Sequence, residues 1–83
     1  MIVPLYGFLE GDPMGVVILA HDSDLIAKVS ELLQQAARVR VPHRDHMLLR
    51  HGERVLDPTM TVTRAGLTAL ERVDLVSDPR AER

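Results

Sequence analysis

The stretch Asp24-Leu-Ile-Ala-Lys-Val-Ser-Glu-Leu-Leu-Gln-Gln-Ala-Ala-Arg38 decides the fold. Within it Leu25, Ile26, Val29, Leu32, Leu33, Ala36 and Ala37 recur at the three- and four-residue spacing of one helical face. Lys28, Ser30, Glu31, Gln34, Gln35 and Arg38 fall on the opposite face. The spacing therefore predicts a half-buried helix over residues 24–38, about four turns long, with Asp22 or Ser23 as its cap. Val39-Arg-Val-Pro42 ends it, because β-branched residues and a proline oppose continuation.

On the N-terminal side, Ile2 to Leu9 is rich in β-branched, aromatic and aliphatic residues, and Glu10-Gly-Asp-Pro13 breaks it with turn formers. Met14 to Ala20 is a second apolar run of strand length, so an antiparallel hairpin is the natural pairing. Pro4 has no amide hydrogen to give a ladder, and its side of the strand should be an edge or a bulge. After the helix come a polar loop at Pro42 to His46, a strand at Met47-Leu-Leu-Arg50, a turn at His51-Gly-Glu-Arg54 and a very short strand at Val55-Leu56. Thr61 to Ala65 reads as one helical turn stopped by Gly66, and Arg72 to Val76 alternates as a half-buried last strand. The order predicts an α+β fold: a mixed sheet of four to five strands with one long helix packed on one face. Residues 1–77 are expected to form the domain and residues 78–83 a flexible C-terminal tail.

Eighty-three residues suffice for one core only. With 46% hydrophobic residues, 27% charged and a net charge of −2, the chain has the composition of an ordinary globular protein. Tyr6 and Phe8 are its two aromatics, so the core must be aliphatic and base stacking has little to work with. The absence of cysteine excludes disulfides, thiolate metal sites and a cysteine nucleophile, and it fits a reducing compartment. No apolar run approaches a membrane span and no signal for export is legible, which sets the expectation at a cytoplasmic protein.

The order strand, strand, helix, strand, short strand, helical turn, strand is that of the β-grasp. The second half resembles ubiquitin-like domains at Leu48, the His51-Gly52 turn, Leu56-Asp57, Thr61-Val62, Gly66-Leu67 and Val73-Asp-Leu-Val76. Within that superfamily the chain resembles the small B subunits of toluene monooxygenase systems, the gamma chains of multicomponent diiron hydroxylases. The resemblance is carried by Arg38 to Pro42, Met60-Thr61-Val62, Gly66-Leu67, Glu71, Val73-Asp74 and Val76. It implies a non-catalytic accessory subunit in a bacterial system, without a cofactor of its own, docked on a larger protein that holds the diiron centre. A second similarity, to the ubiquitin-like proteins of type VII secretion loci, implies a stand-alone adaptor instead.

Catalytic chemistry is not legible. Ser23, Ser30 and Ser77 fall in a cap, on a helix face and in the tail, and none reads as an activated nucleophile. Asp22 and Asp24 favour the positive end of the helix. His43, His46 and His51 lie close in sequence, yet loop spacing without cysteine reads as solvated histidines and not as a zinc site. Arg38, Arg40, Arg44, Arg50 and Arg54 are the one basic concentration, and two readings stay open: solubilising charge, or a patch that meets an acidic protein. In the second, Arg38, Arg40, Arg44, His46 and Arg50 are the candidate partner-binding residues. Nucleic acid is disfavoured by the negative net charge and the lack of aromatics among the arginines. Ubiquitin-like modifiers end in Gly-Gly, whereas this sequence ends Asp78-Pro-Arg-Ala-Glu-Arg83, so conjugation is disfavoured.

Overall fold

The computed structural model describes residues 1–82. Strand β1 (Ile2–Leu9) pairs antiparallel with β2 (Val16–His21), helix α1 (Ile26–Ala37) follows, and β3 (Met47–His51), β4 (Arg54–Val55) and β5 (Arg72–Ser77) complete a five-stranded sheet in the order β2-β1-β5-β3-β4. The centre of the sheet is the parallel pair β1 and β5, in register from Tyr6 opposite Arg72 to Leu9 opposite Leu75. A parallel pair needs a crossover, and α1 lies within it, against one face of the sheet. The fold is the expected β-grasp.

Strand alternation sorts the side chains. Val3, Leu5 and Leu9 of β1, Ile18 and Ala20 of β2, Leu49 of β3 and Val73 and Leu75 of β5 point at the helix, which answers with Ile26, Val29, Leu33 and Ala37. The core is wholly aliphatic, as the composition requires, with Met47 and Met60 packed at its margin. Gly7 occupies the remaining inward position of β1, and a β-carbon there would lie 2.7 Å from Cδ1 of the fully buried Leu33. The helix can sit so close only because Gly7 has no side chain.

Pro4 lies where a missing donor does no harm. The Tyr6 amide donates to the Glu71 carbonyl at 3.0 Å, so the polar groups of Pro4, two residues earlier, face the same side, ahead of the first β1/β5 pair. The Pro4 carbonyl there accepts the Leu70 amide.

The helix differs from its expected form in two places. Neither Asp22 nor Ser23 caps it: Leu25 is the N-cap and gives no side-chain hydrogen bond. Instead the Met60 carbonyl accepts the Ile26 amide at 2.8 Å and the Pro58 carbonyl accepts the Ala27 amide at 3.1 Å. Asp24 is spent elsewhere, its carboxylate accepting the His21 amide at 2.9 Å. Gln34, expected in water, is buried and clasps the backbone of the following loop. Its Nε2 donates to the Arg44 carbonyl at 2.8 Å, and its Oε1 accepts the Arg44 amide at 3.0 Å.

The turn before β5 agrees with the sequence. The Ala65 amide donates to Thr61, the Leu67 amide to Val62, and Gly66 takes the left-handed φ of 78° that closes such a turn. β5 runs on to Ser77, the Asp78 amide donates to the His46 carbonyl at 2.8 Å, and Pro79–Glu82 forms a 3-10 turn. Arg83, the end of the expected tail, lies outside the described residues.

Gly7→Ala should lower unfolding stability by about 1–3 kcal/mol, since Leu33 is enclosed on every side and cannot yield freely. Urea denaturation of the two proteins checks this, with an unchanged midpoint as the contrary result.

Candidate interaction surface

The five candidate partner-binding residues do not form one patch. Arg40 lies against the tip of the β1–β2 hairpin, where its Nη2 is 2.9 Å from Oδ2 of Asp12 and its Nε donates to both carboxylate oxygens at 3.0 Å. The Asp12 side chain is 1% exposed, so its carboxylate is enclosed while the Arg40 side chain remains partly in water. Arg44 reaches the same turn, its guanidinium donating to the Glu10 carbonyl. Arg50, on β3, is half-buried opposite Asp74 of β5. Glu10 accepts the Ser77 amide at 2.6 Å, and that bond, with Arg44 and Arg50 nearby, holds its carboxyl below the ordinary value. His46 turns the chain into β3 with a φ of 59°. Arg38 stands apart at the end of α1, exposed, beside a groove between the helix and β2.

Two of the arginines, Arg40 and Arg44, thus brace the hairpin tip against the loop after the helix, meeting the Asp12 carboxylate and the Glu10 carbonyl of this chain. The sequence placed them near one another but gave no sign of the Asp12 pairing, which joins residues 28 positions apart. The histidines do not converge. His43 lies 3.6 Å from Glu31 and His51 lies 3.4 Å from Glu71, and among the described residues no group of three or more His, Asp or Glu is placed to hold a metal ion.

A second surface is the outer face of the sheet. Ile2, Pro4, Tyr6 and Phe8 of β1 point away from the helix, as do Val17 and Leu19 of β2, which are 55% and 63% exposed. The Tyr6 and Phe8 rings stack with centroids 5.3 Å apart and planes 7° from parallel. The Arg72 guanidinium lies 4.1 Å above the Phe8 ring and ion-pairs with Asp74 at 3.0 Å. A β-carbon on Gly15 would come within 2.6 Å of both rings, so the second arm of the hairpin passes close over the pair. Both aromatics of the chain therefore sit outside the core, on one ordered apolar face. The sign in the sequence is that β1 and β2 are apolar at inward and outward positions alike, where a solvated antiparallel face would be polar.

The chain was compared with known proteins. The model of a family described as toluene-4-monooxygenase system protein B (TmoB) matches residues 2–76. Among solved structures, a chain of a toluene 4-monooxygenase HD complex with the inhibitor 4-bromobenzoate superposes with a TM-score of 0.86 at 22% identity, over 94% of this chain and all of that one. A ubiquitin from Caldiarchaeum subterraneum superposes with a TM-score of 0.74 at 13% identity, over 94% of this chain and 95% of that one. No curated protein matches the sequence.

Two outcomes test the assignment of Arg40 as a brace. Arg40→Ala should lower the urea midpoint, because it leaves the Asp12 carboxylate enclosed with only the Met14 amide, while exposed Arg38→Ala should stay within about 0.5 kcal/mol of the parent. The pH dependence follows from Asp12. Hydrogen bonds from Arg40 hold its carboxyl below the ordinary 3.8, so the unfolded chain takes up the proton first. Its contribution is complete above that ordinary value and is lost as pH falls through the lowered one. Urea midpoints measured from neutral to strongly acid pH should fall over that window, and less steeply in Asp12→Asn.

Proposed function

The chain belongs to the toluene-4-monooxygenase system protein B family, and we propose that it is a small, non-catalytic accessory subunit of such a monooxygenase. The observation that carries this reading is the extent of the match, residues 2–76, which runs from the start of the first strand into the last and takes in every strand and the helix. The chemistry would belong to a larger subunit that holds the oxidising metal centre. Here the chain acts as a rigid body that docks by its surface. No described helix is long and apolar enough to cross a membrane, and we place the complex in the cytoplasm of a bacterium.

Two surfaces support docking. The outer sheet face offers the stacked Tyr6 and Phe8 rings under Arg72, with Val17 and Leu19 beside them, and apolar anchors with an arginine are the composition of interface centres. The segment 38–46, held by Gln34 and Asp12, offers exposed Arg38 and His43 at a fixed position. In this reading Arg38 and His46 face the partner, and Arg40 and Arg44 fix the segment that presents them.

Co-expression with a candidate large helical subunit, one recognisable by paired Glu-x-x-His motifs, is the experiment. The two chains should leave a sizing column together in stoichiometric amounts, and recovery of this chain wholly free would overturn the reading. Within the complex, Tyr6→Ala should weaken association by about 2 kcal/mol, roughly a 30-fold rise in Kd, while leaving the monomer folded.

A further inference from the structure

The two edges of the sheet are unequal. β4 is two residues long and carries Arg54, the blunt and charged form that resists further pairing. β2 is six residues long, and its Val16-Val-Ile-Leu-Ala20 run has neither charge nor proline. In an antiparallel pair, opposed residues alternate between those that bond to each other and those whose polar groups point away. Tyr6 and Pro4 direct theirs toward β5, where they meet Glu71 and Leu70, so Val17 and Leu19 opposite them point their amides and carbonyls out of the sheet. His21, next in that series, is already closed: its amide donates to the Asp24 carboxylate at 2.9 Å and its carbonyl accepts the Asp24 amide at 3.0 Å. Val17 and Leu19 keep two donors and two acceptors at strand spacing, with no backbone partner among the described residues.

Beneath this edge, between β2 and α1, runs a groove of about 530 Å³ lined by Ile18, Leu32, Gln35, Ala36 and Arg38 as well as Val17 and Leu19. Its floor is aliphatic, and Arg38 has no carboxylate within 4.0 Å among the described residues. The geometry points to a site for an extended, apolar segment of a partner protein that carries a carboxylate. The segment adds as a sixth strand on Val17 and Leu19, sends alternate side chains into the groove, and meets Arg38 with its acid. A second copy of this chain is the lesser occupant, since two-fold pairing of β2 edges would set two Arg38 guanidinium groups along one groove. The identity of the partner as a monooxygenase subunit rests on the accessory-subunit reading. The strand-addition site does not, and the two can fail separately.

The test uses ¹⁵N-labelled protein and two capped peptides, Val-Thr-Val-Thr-Val-Glu and the same sequence ending in Lys. The glutamate peptide should shift the amides of Val17, Ile18, Leu19, Leu32 and Ala36 and slow hydrogen exchange at Val17 and Leu19. The lysine peptide should bind about tenfold more weakly, and Arg38→Glu should reverse that preference. Val17→Pro removes one outward donor and should abolish binding; Leu19→Lys provides the same readout should the proline variant unfold. Shifts confined to the Tyr6–Phe8 face, equal binding of both peptides, or no binding at millimolar peptide would each overturn the proposal. Exchange protection at Val17 and Leu19 that rises with protein concentration alone would also overturn it, in favour of a second copy.

Discussion

Leu33 rests directly on Gly7, and that contact sets the distance between helix and sheet for the whole domain. With no aromatic ring in the core, each square ångström of apolar burial must come from branched aliphatics that interlock at short range. Val3, Leu5 and Leu9 line the inward row of β1 on either side of the glycine, so the helix settles among them. A helix of 12 residues has little stability alone. Its first turn depends on carbonyls of Pro58 and Met60, and that loop is in turn held by the burial of Val62, Ala65 and Leu67. Helix, loop and sheet thus share one core and depend on one another's contacts.

The polar interactions continue this logic at one end of the sheet. The Asp12 carboxylate, almost fully enclosed, costs too much to leave unpaired, so Arg40 is committed to it. Gln34 replaces the two backbone hydrogen bonds that Arg44 would otherwise seek in water. The loop after the helix thereby becomes a rigid strap across the hairpin tip. Arginine density in the sequence reflects internal bracing there as much as external recognition, and the acidic residues that absorb it lie more than 25 positions away.

Local signals explain what was legible. β1 matches its apolar run from Ile2 to Leu9, the glycine stop at Gly66 has the expected left-handed backbone, and the periodicity of Leu25 to Ala37 locates the helix. The ubiquitin-like motifs in the second half reached the fold, and Arg38 to Pro42, Met60-Thr61-Val62 and Gly66-Leu67 to Val76 reached the family. The errors arise where tertiary partners replace local ones. Asp22 and Ser23 had the right chemistry for a cap, but carbonyls from a loop more than 30 residues away took the helix amides. Gln34 had the polarity of a solvent position and the hydrogen-bonding capacity of a buried one, and only the folded loop selects between them. Of the five candidate partner-binding residues, Arg38 is exposed beside the groove, while Arg40 and Arg44 are drawn to pairings that no nearest-neighbour spacing reveals.

Rigidity has a consequence for recognition. Association costs conformational entropy for every group it immobilises, and here the stacked rings, the arginine above them and the β2 edge are already fixed by the strands that carry them. The ordering cost then falls on the partner, above all on a segment that must become extended to pair with Val17 and Leu19. Main-chain hydrogen bonds at such an edge are indifferent to sequence, so selectivity has to come from the aliphatic groove and from Arg38. Such a chain can in this way choose its partner, because its fold leaves the β2 edge unfinished and sets beside it Arg38, which has no carboxylate within 4.0 Å among the described residues.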